Sequence, residues 1–175
     1  MLINLSDVLT KEGKTLKAQA DIEMSEFVGG FGTFKITGNS GVDLDLSFNG
    51  VNEALLKGKS QISFSAPCDR CLKDTTVDLD LDFEYVIHGP EFVGEDEEDD
   101  DQKPFIDGYY LDTEALINNE ILVNWPLKIL CKEDCKGVCP VCGQDLNEKQ
   151  CGCDTFVPDP RMAKFQDIFN ANKEV

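Results

Sequence analysis

The feature that most constrains the fold is a strict alternation of apolar and acidic residues ahead of residue 88. The apolar positions are Val77, Leu79, Leu81, Phe83, Tyr85 and Ile87, interleaved with Asp78, Asp80, Asp82 and Glu84. Since successive side chains of a β-strand point to opposite faces, this pattern predicts a strand with one buried and one solvated face. The same period recurs in the earlier stretches 16–22, 34–36, 42–48 and 56–66. Together they predict an antiparallel meander, or a partly closed barrel, of about five strands.

Turn and helix signals divide the rest of the chain. The turn-forming stretches 38–41 and 49–52 are each predicted to join two strands. Asp112 is predicted to cap a helix over 112–124, which Pro126 ends. The apolar stripe of that helix is Leu116, Ile117, Ile121, Leu122 and Trp125. A second helix is predicted to begin at Asp159 and Pro160. The predicted fold class is therefore α+β: the β meander or barrel, two helices and a Cys-rich C-terminal zinc knuckle.

Charge divides the chain near Pro126. Residues 1–125 carry 26 acidic and 9 basic side chains, whereas residues 126–175 carry 8 and 7. We predict an acidic β-rich body over 1–125 and a Cys-rich knuckle with a C-terminal helix, packed on that body, over 126–175. An acidic body repels phosphate backbones and attracts basic partners. The run of seven acids at 95–101 predicts a solvated loop, with an acidic docking arm as the alternative.

The chain carries no sequence signal for export or membrane insertion. Its first residues lack a basic start, and no stretch approaches the ~18 apolar residues that a membrane span needs. We therefore expect a cytoplasmic protein that does not contact a membrane. Because cytosolic thiols stay reduced, the eight cysteines indicate metal or redox chemistry rather than disulfides.

The cysteines divide into two sets of four, which is the ligand number of a structural zinc site. Cys139-Pro140-Val141-Cys142-Gly143 has the spacing of a zinc knuckle, and Gly143 allows the positive φ such a turn needs. Cys151 and Cys153 follow close enough to complete that set. The predicted metal ligands are Cys68, Cys71, Cys131, Cys135, Cys139, Cys142, Cys151 and Cys153. We expect one or two structural zinc ions, with iron as the alternative metal.

Several of these motifs, in this order and at similar spacing, resemble the YceD family, which is named for a bacterial large-subunit ribosomal RNA accumulation protein. The matching stretches are 68–72, 130–143, Leu146-Asn147, Cys151-Gly152-Cys153 and Asp159-Pro160-Arg161. The resemblance implies a role in accumulating or maturing 23S rRNA, without known enzymatic activity. Genes of this family often neighbour that of ribosomal protein L32, a small basic protein. The family's namesake lacks a counterpart of the 139–153 cluster, so the resemblance implies that the rRNA role does not depend on that cluster.

Three functions are compatible with these observations. The first is a non-enzymatic factor for 23S rRNA accumulation and large-subunit assembly that binds a basic ribosomal protein, L32 being one candidate, or another assembly factor, and so associates with 23S rRNA indirectly. The second is a thiol-redox or zinc-handling protein that uses Cys68 and Cys71. The third is direct RNA binding through the nearly neutral C-terminal segment. The charge distribution favours the first.

Overall fold

The computed structural model describes residues 1–90 and 103–154, which form eight strands and two helices. The strands are β1 (Leu2–Asn4), β2 (Thr15–Ala20), β3 (Glu26–Gly29), β4 (Gly32–Gly50), β5 (Glu53–Pro67), β6 (Asp74–His88), β7 (Ile106–Asp107) and β8 (Tyr110–Asp112); the helices are α1 (Ser6–Thr10) and α2 (Thr113–Asn124). The predicted acidic loop at 95–101 and the predicted helix from Asp159 lie outside the described residues.

The chain divides into two compact units. The first comprises Met1–Pro67 and Asp74–Ile129, and it contains all eight strands and both helices of the described residues. The second comprises Cys68–Lys73, which joins β5 to β6 along the chain, together with the chain from Leu130 onward. In the described parts of the chain, no helix is long and apolar enough to cross a membrane.

The main sheet of the first unit has five antiparallel strands in the order β2-β4-β5-β6, with β3 paired to β4 beyond the end of β2. The long strands β4, β5 and β6 follow one another as hairpins, which confirms the predicted meander. The alternative of a partly closed barrel is wrong: no ladder joins the edge strands β2 and β6 within the described residues, so the sheet is open. One face of β6 is buried through Leu79, Leu81, Phe83 and Ile87, as the alternation predicts.

The two predicted turns have different outcomes. The turn at 49–52 is confirmed, because Gly50 pairs with Glu53 and the hairpin loop is Val51-Asn52. The turn at 38–41 is wrong, because β4 runs through it as a single strand with register shifts on both sides. Gly41 adopts φ +74°, and a Cβ there would lie 2.9 Å from the carbonyl oxygen of Ala20. The turn-forming residues therefore kink a long strand, as β-bulges do, instead of ending it.

A second, three-stranded sheet, ordered β1-β8-β7, was not predicted. Its strands are two or three residues long, too short for an alternation to be read from the sequence. The short helix α1 was also not predicted. These elements add Ile3, Val8, Leu9 and Leu111 to the hydrophobic core of the first unit.

The predicted helix is present as α2. The carboxylate of Asp112 accepts hydrogen bonds from the backbone amides of Glu114 (3.0 Å) and Ala115 (3.3 Å), so it caps the helix as predicted. Three positions of the predicted stripe, Leu116, Ile117 and Ile121, are fully buried. The fourth, Leu122, is 44% exposed, so the buried stripe is narrower than predicted. Just after the helix, Trp125 packs in an aromatic cluster with Phe27, Phe31, Phe34 and Phe64.

A carboxylate occupies part of the buried face of α2. Glu120 is only 2% exposed, accepts a hydrogen bond from the Tyr85 hydroxyl on β6, and is 3.4 Å from the side-chain amide of Asn124. Burial, together with the hydrogen bond to Glu120, raises the pKa of Tyr85 to about 12. A buried charge needs such partners, because an unpaired one carries the full cost of desolvation.

We predict that Tyr85→Phe lowers the free energy of unfolding by about 2 kcal/mol at pH 7, since a hydrogen bond to a charged group is lost. The unfolded tyrosine titrates near 10 and the folded one near 12. The wild-type advantage is therefore complete below pH 10 and is lost as the pH rises through 12. Urea unfolding at several pH values measures both effects. Tyr110→Phe, at a position 47% exposed, is the control. An advantage that does not shrink between pH 9 and pH 11 would contradict the proposed linkage.

Candidate metal centres

The second unit brings Cys68, Cys71, Cys131 and Cys135 together in what we call the hairpin site. Its four sulfurs all lie within 4.8 Å of one another. The Sγ atoms of Cys68 and Cys135 are 3.9 Å apart, and those of Cys71 and Cys131 are 3.6 Å apart. Four thiolates bound tetrahedrally at ~2.3 Å from one zinc would be ~3.8 Å apart. The spacing therefore fits a single tetrahedral ion.

The other four cysteines, Cys139, Cys142, Cys151 and Cys153, form the knuckle site of the same unit. Their sulfurs also all lie within 4.8 Å of one another. The sequence predicts the same two groups, since spacing indicates the knuckle set and the four remaining cysteines make up the other. Both clusters are suited to holding a metal ion by the chemistry of their donors; metal binding itself stays a prediction.

Both sites begin with a turn of the same backbone hydrogen-bonding pattern. In each Cys-x-x-Cys segment, the amide of the first cysteine donates to the carbonyl five residues later, and the amide four residues later donates back to that cysteine's carbonyl. The bonds are Cys68 to Lys73 at 2.8 Å, Leu72 to Cys68 at 2.9 Å, Cys139 to Gln144 at 2.8 Å and Gly143 to Cys139 at 2.8 Å. The hairpin tip at 68–72 is therefore a second knuckle.

The residue that follows each Cys-x-x-Cys has a positive φ. It is +73° at Gly143, as the sequence predicts, and +61° at Leu72. The sequence shows no sign of this at Leu72, because leucine rarely adopts that conformation. The shared hydrogen bonds show why it does so here.

The same turns lower the pKa of the first cysteine in each site. Burial raises the pKa of Cys68, but backbone amides, among them those of Cys71 and Arg70, outweigh it and lower the pKa to about 6. The backbone amides of Cys142 and Val141 lower the pKa of Cys139 to about 6 in the same way. Each turn therefore presents a thiolate near neutral pH, which is the form that binds metal.

The two sites differ in exposure. Three of the hairpin-site cysteines, Cys68, Cys71 and Cys135, are buried, and Cys131 is exposed. In the knuckle site Cys139 is buried, Cys142 is exposed, and the remaining two are half-buried. Solvent and chelators therefore reach the knuckle site more readily.

Four polar residues surround the two sites without being marked as neighbours of a metal site by any sequence pattern. The Arg70 guanidinium donates to the carbonyl of Cys135 at 2.7 Å, and the side-chain amide of Asn147 lies 3.5 Å from the sulfur of Cys135. Lys73 pairs with Asp145 at 2.8 Å, and this ammonium is the main cause that lowers the pKa of Asp145 to about 2. Arg70 and Asn147 lie in stretches that resemble the family motifs, whereas Lys73 and Asp145 lie outside those stretches.

A family model described as the large ribosomal RNA subunit accumulation protein YceD matches residues 56–169, a range that includes all eight cysteines. The chain belongs to the YceD family. Membership confirms the resemblance drawn from the motifs and supports a ribosome-related role in general.

This YceD family member is also similar to proteins whose names describe no function. Uncharacterized proteins of Mycobacterium bovis and of two Mycobacterium tuberculosis strains are each 25% identical to it over 134 residues. The aligned region covers 76% of this chain and 64% of each relative, so the chain spans less than two thirds of their length. No solved structure matches the chain.

Proposed function

We propose that this protein is a non-enzymatic factor for 23S rRNA accumulation and large-subunit assembly, and that it acts by binding a basic ribosomal protein. The observation that carries the proposal is the family match, which spans residues 56–169. The link to the large subunit comes from the family description, and the mode of action comes from the charge and chemistry of the chain.

The metal is zinc in this proposal, one ion in each site. A set of four thiolates closes the coordination sphere of zinc and leaves no position for a substrate, which is typical of a structural site. Zinc would stabilise the second unit, and this arrangement supports a protein without catalytic activity.

Thiol exchange at Cys68 and Cys71 is less well supported than metal binding. A pKa of about 6 would suit a reactive Cys68. However, Cys68 is fully buried and Cys71 is 5% exposed, whereas a thiol that exchanges with a partner disulfide must be accessible. A buried thiolate close to three other sulfurs is better suited to holding a metal.

Charge supports a basic protein partner. Residues 1–125 carry a net charge of −17, which opposes an RNA backbone and attracts cations. The acidic face of β6, however, is not uniform. Asp82 and Glu84 pair with Lys59 and Lys57 of β5. Asp78 and Asp80 instead accept hydrogen bonds from the neutral side chains of Ser63 and Gln61, so their negative charge is not compensated by those partners.

This difference provides a test. We expect Asp78→Lys/Asp80→Lys to slow the capture of basic large-subunit proteins by about tenfold at low salt, because the attractive charge of the face is reversed. The chain is immobilised, the total protein of purified large subunits is passed over it, and bound proteins are identified by mass spectrometry. Association rates are then measured with the captured protein at 50 and 300 mM salt, since high salt screens the effect.

The matched control is Asp82→Lys/Glu84→Lys, which changes charge equally at positions that have lysine partners; we expect a smaller loss. In the host, depletion of the chain is expected to lower the share of mature large subunits, and the Asp78/Asp80 variant is expected to restore it poorly. Tight binding of 23S rRNA fragments without any ribosomal protein would refute the protein-partner mechanism. Unchanged subunit profiles on depletion would refute the role in assembly.

A further inference from the structure

Asn147 connects the two candidate metal sites. In sequence it lies between Cys142 and Cys151, both of the knuckle site. Its side-chain amide nevertheless lies 3.5 Å from the sulfur of Cys135, which belongs to the hairpin site. An amide that donates to a metal-bound thiolate orients the sulfur and tunes its donor strength. Such groups outside the coordination sphere typically change metal affinity by about 10–100-fold.

The orientation of this amide is determined by its other contacts. The Asn147 Oδ1 atom accepts from the backbone amide of Lys136 at 2.9 Å, so Nδ2 is the atom that faces the Cys135 sulfur. Asp145 accepts from the backbone amide of Asn147 at 2.8 Å and also from its Nδ2 at 2.8 Å. Lys73 in turn holds Asp145 through their ion pair. The contact with Cys135 is therefore part of a network.

The segment that carries Asn147 lies between two cysteines of the knuckle site. Eight residues separate Cys142 from Cys151, and a metal bound to both would close that loop. Closing the loop restricts the conformations of the segment. Because metal binding and local folding are coupled in such small sites, a metal at the knuckle site would order the loop and with it Asn147.

We propose that Asn147 is a positioning residue that couples the two sites. Zinc at the knuckle site holds Asn147 in place, and Asn147 holds the Cys135 thiolate for zinc at the hairpin site. Since coupling between binding sites is reciprocal, zinc at the hairpin site strengthens binding at the knuckle site by the same factor. This inference rests on the zinc binding proposed above and goes beyond it, because two independent structural sites would show no such dependence.

The test is a double-mutant cycle on the full chain. The zinc dissociation constant of the hairpin site is measured by chelator competition in wild type, Asn147→Ala, Cys142→Ser/Cys153→Ser and the combined variant. We expect about tenfold weaker binding after Asn147→Ala, and about tenfold after emptying the knuckle site. The combined variant should be no weaker than the cysteine variant alone, because both changes remove the same coupling. The control is Gln150→Ala, which removes an exposed side-chain amide from the same loop. Its zinc dissociation constant at the hairpin site should equal that of wild type.

A spectroscopic measurement separates positioning from loss of structure. In protein loaded with ¹¹³Cd, each site of four thiolates gives one NMR resonance, and Cys142→Ser/Cys153→Ser identifies that of the knuckle site. We expect Asn147→Ala to shift the hairpin-site resonance and to leave the other unchanged. Two results would overturn the coupling but not the zinc binding. One is an Asn147→Ala variant that binds two zinc ions with wild-type affinity. The other is a combined variant whose loss of zinc affinity at the hairpin site is the product of the two separate losses. A wild-type chain that binds no zinc would overturn the proposed zinc binding and the coupling with it.

Discussion

Removal of metal is expected to unfold the second unit while the five-stranded sheet of the first unit persists. The described part of the second unit contains no helix or strand, only the isolated bridge between Val138 and Asp145. Within that described part, the buried apolar cluster consists of Cys68, Cys71 and Cys135, with Leu130 packed against them. A core of that size cannot offset the conformational entropy of the described residues 68–73 and 130–154. Structural zinc contributes about 10–16 kcal/mol in comparable small sites, and that binding energy is folding energy.

Hydrogen exchange with and without a strong zinc chelator measures this effect. Amides at 130–154 should lose their protection, whereas amides of β4, β5 and β6 should keep theirs. Cys139→Ser should reproduce the loss in the knuckle segment without a chelator. Val141→Ser is the control, because Val141 lies within the same turn, is 58% exposed and is not a predicted ligand. Protection that survives complete metal removal would show that the unit folds without metal.

Replacing Phe27 with alanine is expected to lower the free energy of unfolding of the first unit by about 3–5 kcal/mol, the usual cost of removing a buried aromatic ring. Phe27 is 1% exposed, and its ring contacts those of Phe31, Phe64 and Trp125 in the aromatic cluster. Its ring centroid is 5.5 Å from that of Trp125 and 6.2 Å from that of Phe64. The deleted ring would leave a cavity between strands and helix end that these large neighbours cannot fill without moving.

Urea unfolding followed by tryptophan fluorescence measures the loss, and Trp125 is the only tryptophan in the chain. The matched control is Phe31→Ala in the same cluster. Phe31 is 50% exposed and should cost about 1 kcal/mol, because much of its ring already contacts water. We infer that the burial of each ring determines how much its removal lowers the free energy of unfolding. Equal decreases for Phe27→Ala and Phe31→Ala would contradict this.

The strands of the main sheet were predictable because their signal is local. From residue 77 to residue 87 apolar and acidic side chains alternate, because one face of the strand is buried and the other is solvated. The side chains of β6 alternate in burial in the same way. The kink at 38–41 was not predictable in the same way. Glycine and asparagine favour both turns and bulges, and the pairing of β4 with β5 on both sides of the kink decides between them.

The helix α2 likewise has features that the local sequence predicts and one that it does not. Its cap at Asp112 and its buried positions Leu116, Ile117 and Ile121 follow from local chemistry and helical period. The burial of Glu120 does not, because its hydroxyl partner, Tyr85, lies 35 positions away in the sequence. A glutamate on a helix is ordinarily solvated, and the approach of β6 adds the hydrogen bond from the Tyr85 hydroxyl that compensates part of the cost of burying it.

The sequence by itself determined the alternating strands, the cap of α2, the knuckle turn at Cys139 and the grouping of eight cysteines into two sets of four. Each of these depends on residue type and short spacing, or on the number of ligands that one ion requires. Only the tertiary structure showed that 68–72 forms a second knuckle, in which Leu72 takes the place of a glycine. It also showed that Asn147, from the loop between two knuckle-site cysteines, reaches Cys135 of the hairpin site. The physical reason is that such contacts join residues whose proximity results from the path of the folded chain, and no periodicity or spacing in the sequence records that path.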